Sequence, residues 1–107
     1  MITWFYGNTG AGKTTIAKAF AKGSGAILLD GDDLRRVWVD LGLSKRDRRE
    51  QNNRVYRLAL RLEAQGFDVA VAVICPYRDQ REIFSGKCKM VYVPGGKSGD
   101  DYPFEMP

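Results

Sequence analysis

The chain is short and mildly basic, and both properties limit what it can be. It has 107 residues, with 17 lysines and arginines against 13 aspartates and glutamates, which gives a formal net charge of +4. This length predicts a single domain over residues 1–107 with one modest core, and the charge suits an anionic ligand. The sequence has no histidine, which excludes histidine-based acid–base catalysis and histidine metal sites.

The remaining composition is typical of a globular protein. Apolar residues make up 44% of the chain and charged residues 28%. No apolar run approaches the roughly 18 residues of a membrane span, and we expect no signal peptide. Cys75 and Cys88 form neither a metal-ligand pattern nor a disulfide framework. We therefore expect a cytoplasmic protein without a membrane partner.

A glycine-rich stretch near the N-terminus fits the phosphate-binding loop (P-loop) pattern of glycine, four residues and Gly-Lys-Ser/Thr. Glycines let consecutive N–H groups point inward around an anion, and the helix that follows adds its positive end. Lys13 can then reach the β- and γ-phosphates of a nucleotide, and the Thr14 hydroxyl can ligate Mg²⁺. The alternative is a glycine-rich turn with a chance lysine. The predicted phosphate site comprises Gly7, Asn8, Thr9, Gly10, Ala11, Gly12, Lys13, Thr14 and Thr15.

Strands and helices alternate along the chain. The predicted strands are 2–6, 26–29, 69–74 and 89–93, and the predicted helices are 15–22, 34–41, 79–84 and a long one from its N-cap Ser44 to about Gln65. The first helix has Ile16, Ala19 and Phe20 on one apolar face, and the long helix has one formed by Val55, Leu58, Ala59 and Leu62. The wholly apolar run at 26–29 predicts a strand covered on both faces, and Gly42 is expected to end the helix over 34–41.

This alternation predicts an α/β fold of the P-loop NTPase type. We expect a parallel sheet of about four strands in the order 2-3-1-4, with helices on both faces. Residues 94–107, rich in glycine, proline and aspartate, should form an irregular tail. Asp30 and Asp32 follow the second strand, at the edge where open α/β sheets bind ligands. The alternative role for either aspartate is an N-cap of the next helix.

Three stretches resemble the adenylylsulfate kinase family in order and spacing. They are Leu29-Asp30-Gly31-Asp32-x-Leu34-Arg35, Leu41-Gly42-Leu43-Ser44-x-x-Asp47-Arg48-x-Glu50 and Ile74-Cys75-Pro76-Tyr77-Arg78-x-x-Arg81. The resemblance covers residues 2–93 and resumes weakly at 101–107, where Asp-Tyr-Pro-Phe-Glu-Met-Pro is similar to the family's Asp-Ser-Pro-Tyr-Glu-x-Pro. It implies transfer of the γ-phosphate of ATP, with Mg²⁺, to the ribose 3′-hydroxyl of adenosine 5′-phosphosulfate (APS).

The resemblance also implies roles for individual residues. Lys13 and Asp32 would be catalytic, with Asp32 orienting or deprotonating the acceptor hydroxyl and holding Mg²⁺ together with Thr14. Arg35 and Arg48 would bind the phosphosulfate group, a task that suits planar guanidinium donors. The implied acceptor site is completed by Gln51, where the family has an asparagine, and by Ile74 and Arg78.

The chain departs from the family at the acceptor site. Leu43 replaces a phenylalanine that stacks on the acceptor's adenine, and Lys97 aligns with a second stacking phenylalanine. The family's basic lid is reduced to residues 95–98, and its fifth strand and last helix have no counterpart. We interpret the chain as a shortened member of the family. Two alternatives stay open: a kinase for another small alcohol (a nucleoside, nucleotide or sugar), and a non-catalytic nucleotide-binding module.

The predicted partner is a small-molecule acceptor. Arg54, Arg57 and Arg61 form a basic stripe on the long helix, but such a stripe is typical of a solvated surface, so we expect no nucleic-acid partner. Without a fifth strand, the apolar strand at 89–93 becomes a sheet edge that invites pairing with another chain. We therefore predict a homodimer, unless the tail covers this edge.

Overall fold

A computed structural model describes residues 1–97, 99 and 102–107. Ser98, Asp100 and Asp101, which belong to the predicted tail, lie outside the described residues. The strands are β1 (Ile2–Tyr6), β2 (Ile27–Asp30), β3 (Val69–Ala72) and β4 (Cys88–Tyr92), and the helices are α1 (Lys13–Ser24), α2 (Gly31–Val37), α3 (Lys45–Ala64) and α4 (Arg78–Phe84). Among these described helices, none has the length and apolar character that a membrane span requires.

The four strands form one parallel sheet in the order β2-β3-β1-β4, which confirms the predicted topology. At the centre of the sheet, Trp4 of β1 pairs with Val71 of β3 on one side and with Met90 of β4 on the other. Because all strands run in one direction, their carboxyl ends meet at the same edge. The P-loop after β1, the aspartates after β2 and the chain after β3 therefore gather there.

The larger part of the core lies between the sheet and α3 and α4. Trp4 is fully buried, and its ring stacks on Phe84 of α4 with the centroids 4.9 Å apart. Val55 and Ala59 of α3 are also fully buried, on the apolar face that their helical spacing predicts. Tyr56 of α3 also stacks on Phe84, with the ring centroids 4.4 Å apart. This packing fixes the start of α3, which carries acceptor-site candidates.

The opposite face of the sheet is covered by α1, but not through the apolar face of α1 that the sequence suggests. Ile16 and Phe20 are 44% and 37% exposed, whereas Ala17 is fully buried against the sheet. The cause is local: α1 begins at Lys13, whose buried side chain turns back into the P-loop. One turn later, the same helix face places Ala17 on the sheet, where its small side chain allows close approach.

Two further local predictions are corrected. α2 begins at Gly31 and ends at Val37, earlier than the predicted 34–41, because the Asp30 side chain caps it by accepting the N–H of Asp32. Gly42 does not end this helix; its N–H donates instead to Asp47 at 2.8 Å. The Ser44 cap of α3 is as predicted, with the hydroxyl accepting the N–H of Asp47.

The apolar strand β2 is also less enclosed than its composition predicts. It lies at an edge of the sheet, and Ile27 and Leu28 are only half-buried. The carboxyl end of β2 is better covered, since Leu29 and Asp30 are buried. The buried end of the strand thus anchors Asp30, although the first half of the strand is only half-buried.

The basic stripe of α3 takes part in surface ion pairs. Arg54 lies 2.9 Å from Asp40 and 2.8 Å from Glu50, and Arg57 lies 3.5 Å from Glu50. The Arg54–Asp40 pair joins α3 to the loop that follows α2, whereas both pairs with Glu50 lie within α3. Part of the stripe therefore has a structural role.

The described part of the tail is irregular, as predicted, yet it packs against the site end of the molecule. Phe104 stacks near Tyr6 and Tyr92, with centroids 6.3 and 5.9 Å away, and the Arg81 guanidinium lies 4.9 Å from the ring centroid of Phe104. The N–H of Glu105 donates to the carbonyl of Pro76 at 2.8 Å. The tail is thereby fastened across the carboxyl ends of the strands.

Candidate functional site

A cavity of about 610 Å³ opens at the carboxyl edge of the sheet. It lies between the P-loop, α2, the start of α3 and the chain after β3. Among the residues predicted as site residues, those that line the cavity are Asn8, Thr9, Gly10, Gly12, Lys13, Thr14, Thr15, Asp32, Arg35, Arg48, Gln51 and Ile74. The structure therefore brings the predicted phosphate site and most of the predicted acceptor site together in one space.

The P-loop is arranged to receive an anion. Lys13 is buried, and its ammonium donates to the carbonyl of Asn8 at 2.9 Å. Burial lowers the pKa of Lys13, while the charges of Asp32 and Asp30 oppose that shift. No side chain caps α1 at Gly12, so the first N–H groups of this helix remain available to a phosphate. A bound phosphate would also compensate the buried lysine charge.

The back of the P-loop is braced by the residues that follow β4. A Cβ at Gly7 would lie 2.2 Å from the carbonyl oxygen of Val93, and a Cβ at Gly96 would lie 2.6 Å from that of Thr9. The N–H of Lys97 donates to the same Thr9 carbonyl at 2.8 Å. Gly7 thus serves a close backbone approach and is not among the lining residues given for the cavity.

Asp30 and Asp32 are distinguished by their hydrogen bonds. One carboxylate oxygen of Asp30 accepts the N–H of Asp32 at 2.9 Å, and the other accepts the Thr14 hydroxyl at 2.8 Å. Asp30 therefore fills the N-cap role that the sequence left open between the two aspartates. The side chain of Asp32 lines the cavity. Thr14, Asp30 and Asp32 bring hard oxygen ligands next to the P-loop, the donor set that Mg²⁺ prefers.

Two guanidinium groups line the acceptor side of the cavity. Arg35 donates to the carbonyl of Gly42 at 3.2 Å, and Arg48 donates to the carbonyl of Leu43 at 2.7 Å. Burial and the neighbouring Arg48 charge both lower the pKa of Arg35, against the opposing effect of Asp32. Since each arginine is held by a neutral carbonyl, the pair favours an anion between or beside them.

Of the predicted acceptor-site residues Gln51 and Arg78, only Gln51 is among the lining residues given for the cavity. Gln51 is 3% exposed and donates to the carbonyl of Gly31 at 3.2 Å, while its side-chain oxygen has no hydrogen-bond partner among the described residues. A buried acceptor of this kind favours a donor from a ligand. Arg78 is exposed, and it is its backbone N–H that is engaged, donating to Glu105 at 2.8 Å. The structure does not bring Arg78 to the cavity.

Several lining residues were not singled out from the sequence as site residues. Asn52, Cys75, Pro76 and Tyr102 line the cavity as well. Cys75 has a positive φ of 47° and is fully buried, and burial raises its pKa to about 12. Burial also raises the pKa of Cys88 to about 11. Both cysteines are free thiols, and their protonated state makes them poor nucleophiles.

Comparisons to known proteins agree with the fold. A family model described as Adenylylsulphate kinase matches residues 1–93. The adenylyl-sulfate kinase of Geotalea daltonii is 41% identical over 88 residues, covering 77% of this chain and 43% of the relative. That of Vibrio cholerae is also 41% identical over 88 residues, covering 77% of this chain and 41% of the relative. The chain therefore matches less than half the length of these two relatives.

Solved structures of APS kinases are also similar to this chain in fold. A mutant APS kinase of Mycobacterium tuberculosis has a TM-score of 0.74 at 32% identity, covering 86% of this chain and 73% of that one. The same organism's APS kinase in complex with AMPPNP and APS has a TM-score of 0.69 at 31% identity, covering 85% and 59%. A hexameric APS kinase from Thiobacillus denitrificans has a TM-score of 0.69 at 28% identity, covering 85% and 21%.

Proposed function

Because the chain belongs to the adenylylsulfate kinase family, we propose that it transfers the γ-phosphate of ATP to the 3′-hydroxyl of APS. The observation that carries the proposal is the set of residues that line the cavity. A P-loop with its lysine, the carboxylate of Asp32 and the Arg35–Arg48 pair line one space of about 610 Å³. The donor phosphate, the acceptor hydroxyl and an acceptor anion each have a matching group there.

In the donor half, the P-loop binds the β- and γ-phosphates of ATP. The N–H groups of the loop and of the start of α1 surround the phosphates, and Lys13 moves its hydrogen bond from the Asn8 carbonyl to a phosphate oxygen. Its charge then stabilises the negative charge on the transferred group in the transition state. Thr14, Asp30 and Asp32 would hold Mg²⁺ beside the phosphates, and the bound ion would neutralise part of the phosphate charge.

In the acceptor half, Arg35 and Arg48 hold the phosphosulfate group, and this places the ribose next to Asp32. Asp32 accepts a hydrogen bond from the 3′-hydroxyl and takes its proton as the oxygen attacks the γ-phosphorus. The bond between the γ-phosphorus and the β–γ bridging oxygen breaks, and ADP leaves. Asp32 then releases the proton to solvent. Positioning and charge stabilisation are the protein's main contributions to such a transfer.

One observation favours a second candidate, a kinase for another small alcohol. Leu43, which replaces a stacking phenylalanine of the family, is 66% exposed and presents no aromatic surface to an adenine. A nucleoside, nucleotide or sugar alcohol with an anionic group would still meet Arg35, Arg48 and Asp32. The two candidates differ in the acceptor alone, so they share the donor half of the site.

An acceptor screen tests the proposal. ADP release from ATP and Mg²⁺ is measured in a coupled assay with APS, with nucleosides and nucleotides, and with sugar alcohols. We expect APS to stimulate ADP release well above the acceptor-free rate and the others to have little effect. Stimulation by another alcohol instead would establish the second candidate. If no acceptor raises the rate, the chain is a nucleotide-binding module and not a kinase.

A further inference from the structure

Tyr102, a residue of the irregular tail, lines the cavity. Among the described residues that line the cavity, it is the one with an aromatic ring. Leu43 and Lys97 occupy the positions where the resembled family has its two stacking phenylalanines, and Tyr102 aligns with a serine of the family's last motif. The chain has thus lost two aromatic rings and gained one, five residues beyond Lys97.

The backbone of Tyr102 holds the residue at the cavity. Its carbonyl accepts the side-chain N–H of Asn8 at 3.3 Å, and its N–H donates to the carbonyl of Gly99 at 3.0 Å. Two residues further on, Phe104 packs against aromatic residues of β1 and β4, and Glu105 is bonded to Pro76. None of these contacts involves the tyrosine ring. They fix the backbone of Tyr102 and do not pack its ring into the core.

The fastening of the tail places Tyr102 between the P-loop and the chain that follows β3. The tail runs from Asn8, at the end of β1, to Pro76, which follows β3. Phe104 packs with the core cluster of the sheet face that α3 covers, and α3 also carries Arg48 and Gln51. The helix α1, which follows the P-loop, covers the opposite face.

We propose that the ring of Tyr102 is the stacking surface for the base of the acceptor nucleotide, in place of the rings absent at Leu43 and Lys97. The inference rests on the proposed function, and it deepens it by specifying an acceptor that carries an aromatic base. Lys97 lies beside this ring, with its ammonium 3.5 Å from the tyrosine hydroxyl and 5.2 Å from the ring centroid. This contact restrains the hydroxyl end of the ring and places a positive charge near an anionic acceptor.

Substitutions of Tyr102 separate stacking from other roles. Tyr102→Phe keeps the ring, Tyr102→Leu keeps apolar bulk without a ring, and Tyr102→Ser introduces the residue of the family motif. The dissociation constant of APS is measured calorimetrically in the presence of ADP and Mg²⁺, and that of ATP is measured separately. We expect Tyr102→Leu and Tyr102→Ser to weaken APS binding about 5- to 150-fold, the range that stacking of one base supplies. Tyr102→Phe should bind APS like the wild type, and ATP binding should not change in any variant.

A control variant tests whether the effect comes only from a loosened tail. Tyr92→Leu removes a ring that contacts Phe104 of the tail but does not belong to the lining given for the cavity. We expect it to leave APS binding within about twofold of the wild type. An equal loss of APS binding in Tyr92→Leu and Tyr102→Leu would overturn the stacking proposal.

The other outcomes distinguish this proposal from the proposed function. If the wild type transfers phosphate to APS and Tyr102→Ser binds APS equally well, stacking is wrong and the proposed function stands. If the Tyr102 variants weaken ATP binding and not APS binding, the ring serves the donor base, which overturns the proposal. If APS neither binds to the wild type nor stimulates ADP release, the proposed function fails, and the stacking proposal fails with it.

Discussion

Asp30 and Asp32 are two residues apart, and their hydrogen bonds separate their roles. Both oxygens of Asp30 are engaged, one by the N–H of Asp32 at the start of α2 and one by the Thr14 hydroxyl. Asp30 therefore stabilises α2 and orients a residue of the P-loop. The carboxylate of Asp32 lines the cavity, where an acceptor hydroxyl can reach it. Asp30 lines the cavity as well, but its oxygens are engaged, so we propose that Asp32 is the one that acts on the substrate.

Substitution of these two aspartates should separate catalysis from stability. We expect Asp32→Asn to lower kcat more than it raises the KM for the acceptor, since the role of Asp32 belongs to the transfer step, and to leave Tm unchanged. Asp30→Ala should lower the free energy of unfolding by about 1 kcal/mol through the lost cap. Steady-state kinetics and thermal unfolding provide both measurements. An Asp32→Asn variant that loses only stability would show that Asp32 has a structural role.

Lys13 allows a second test at the residue scale. We expect Lys13→Ala to lower kcat about a thousandfold, corresponding to about 4 kcal/mol of lost transition-state stabilisation. The fold should persist, because the substitution removes a buried charge whose pKa burial already lowers. Circular dichroism and the rate of ADP release measure the two effects. Phosphoryl transfer at the wild-type rate by Lys13→Ala would contradict the assignment of the phosphate site.

At the scale of elements, the sequence predicted a helix correctly where residues close together in the chain determine its ends and its buried face. The N-cap Ser44 and the spacing of Val55 and Ala59 predicted α3 and its buried face correctly. The alternation of elements predicted a parallel sheet, and the observed strand order is the expected one. The buried face of α1 did not follow from its sequence, because the P-loop sets the rotation of the helix and turns Ala17, not Ile16, toward the sheet.

The part of the site that the sequence did not predict depends on long-range contacts. Tyr102 reaches the cavity because the tail folds back to Asn8, 94 residues earlier in the chain. Arg78 is absent from the cavity because the helix α4 begins at that residue and leaves its side chain exposed. Motif spacing within one element cannot report either placement. The glycine- and proline-rich composition of the tail indicated irregular structure but not where it packs.

Fastening of the tail gives a prediction for Phe104. Its half-buried ring stacks near Tyr6 and Tyr92 and lies under the Arg81 guanidinium. We expect Phe104→Ala to lower the free energy of unfolding by about 2 kcal/mol through lost apolar burial and aromatic contact. Ile83→Ala, on an α4 side chain that is 66% exposed, is the matched control and should change stability little. Equal urea midpoints for the wild type and Phe104→Ala would contradict a structural role for the tail.

At the scale of the whole molecule, apolar side chains on α1 and β4 are partly open to solvent. On α1, Ile16 and Phe20 are 44% and 37% exposed. Strand β4 is one of the two outer strands of the sheet, with Met90 and Val91 half-buried. In the part of the tail that the structure describes, the backbone is bonded to Thr9 and Pro76, at the carboxyl ends of the strands and not along the length of β4.

These surfaces support the prediction of a homodimer. Pairing through an exposed strand edge or packing of two α1 faces would remove apolar surface from water. Light scattering at tens of micromolar protein should give a mass near twice 12.0 kDa. Phe20→Lys and Val91→Lys, one on each surface, should identify the interface by restoring the monomer mass. A wild-type mass near 12.0 kDa would contradict the prediction.

The most direct test of the proposed function follows the transferred phosphate itself. ATP labelled at its γ-phosphate is incubated with the chain, Mg²⁺ and APS, and the products are separated by chromatography. We expect the label in a 3′-phosphorylated APS, in an amount equal to the ADP formed, and its loss in Lys13→Ala. Label that appears only as inorganic phosphate, with APS unlabelled, would contradict the proposal, because water and not the acceptor would then receive the phosphate.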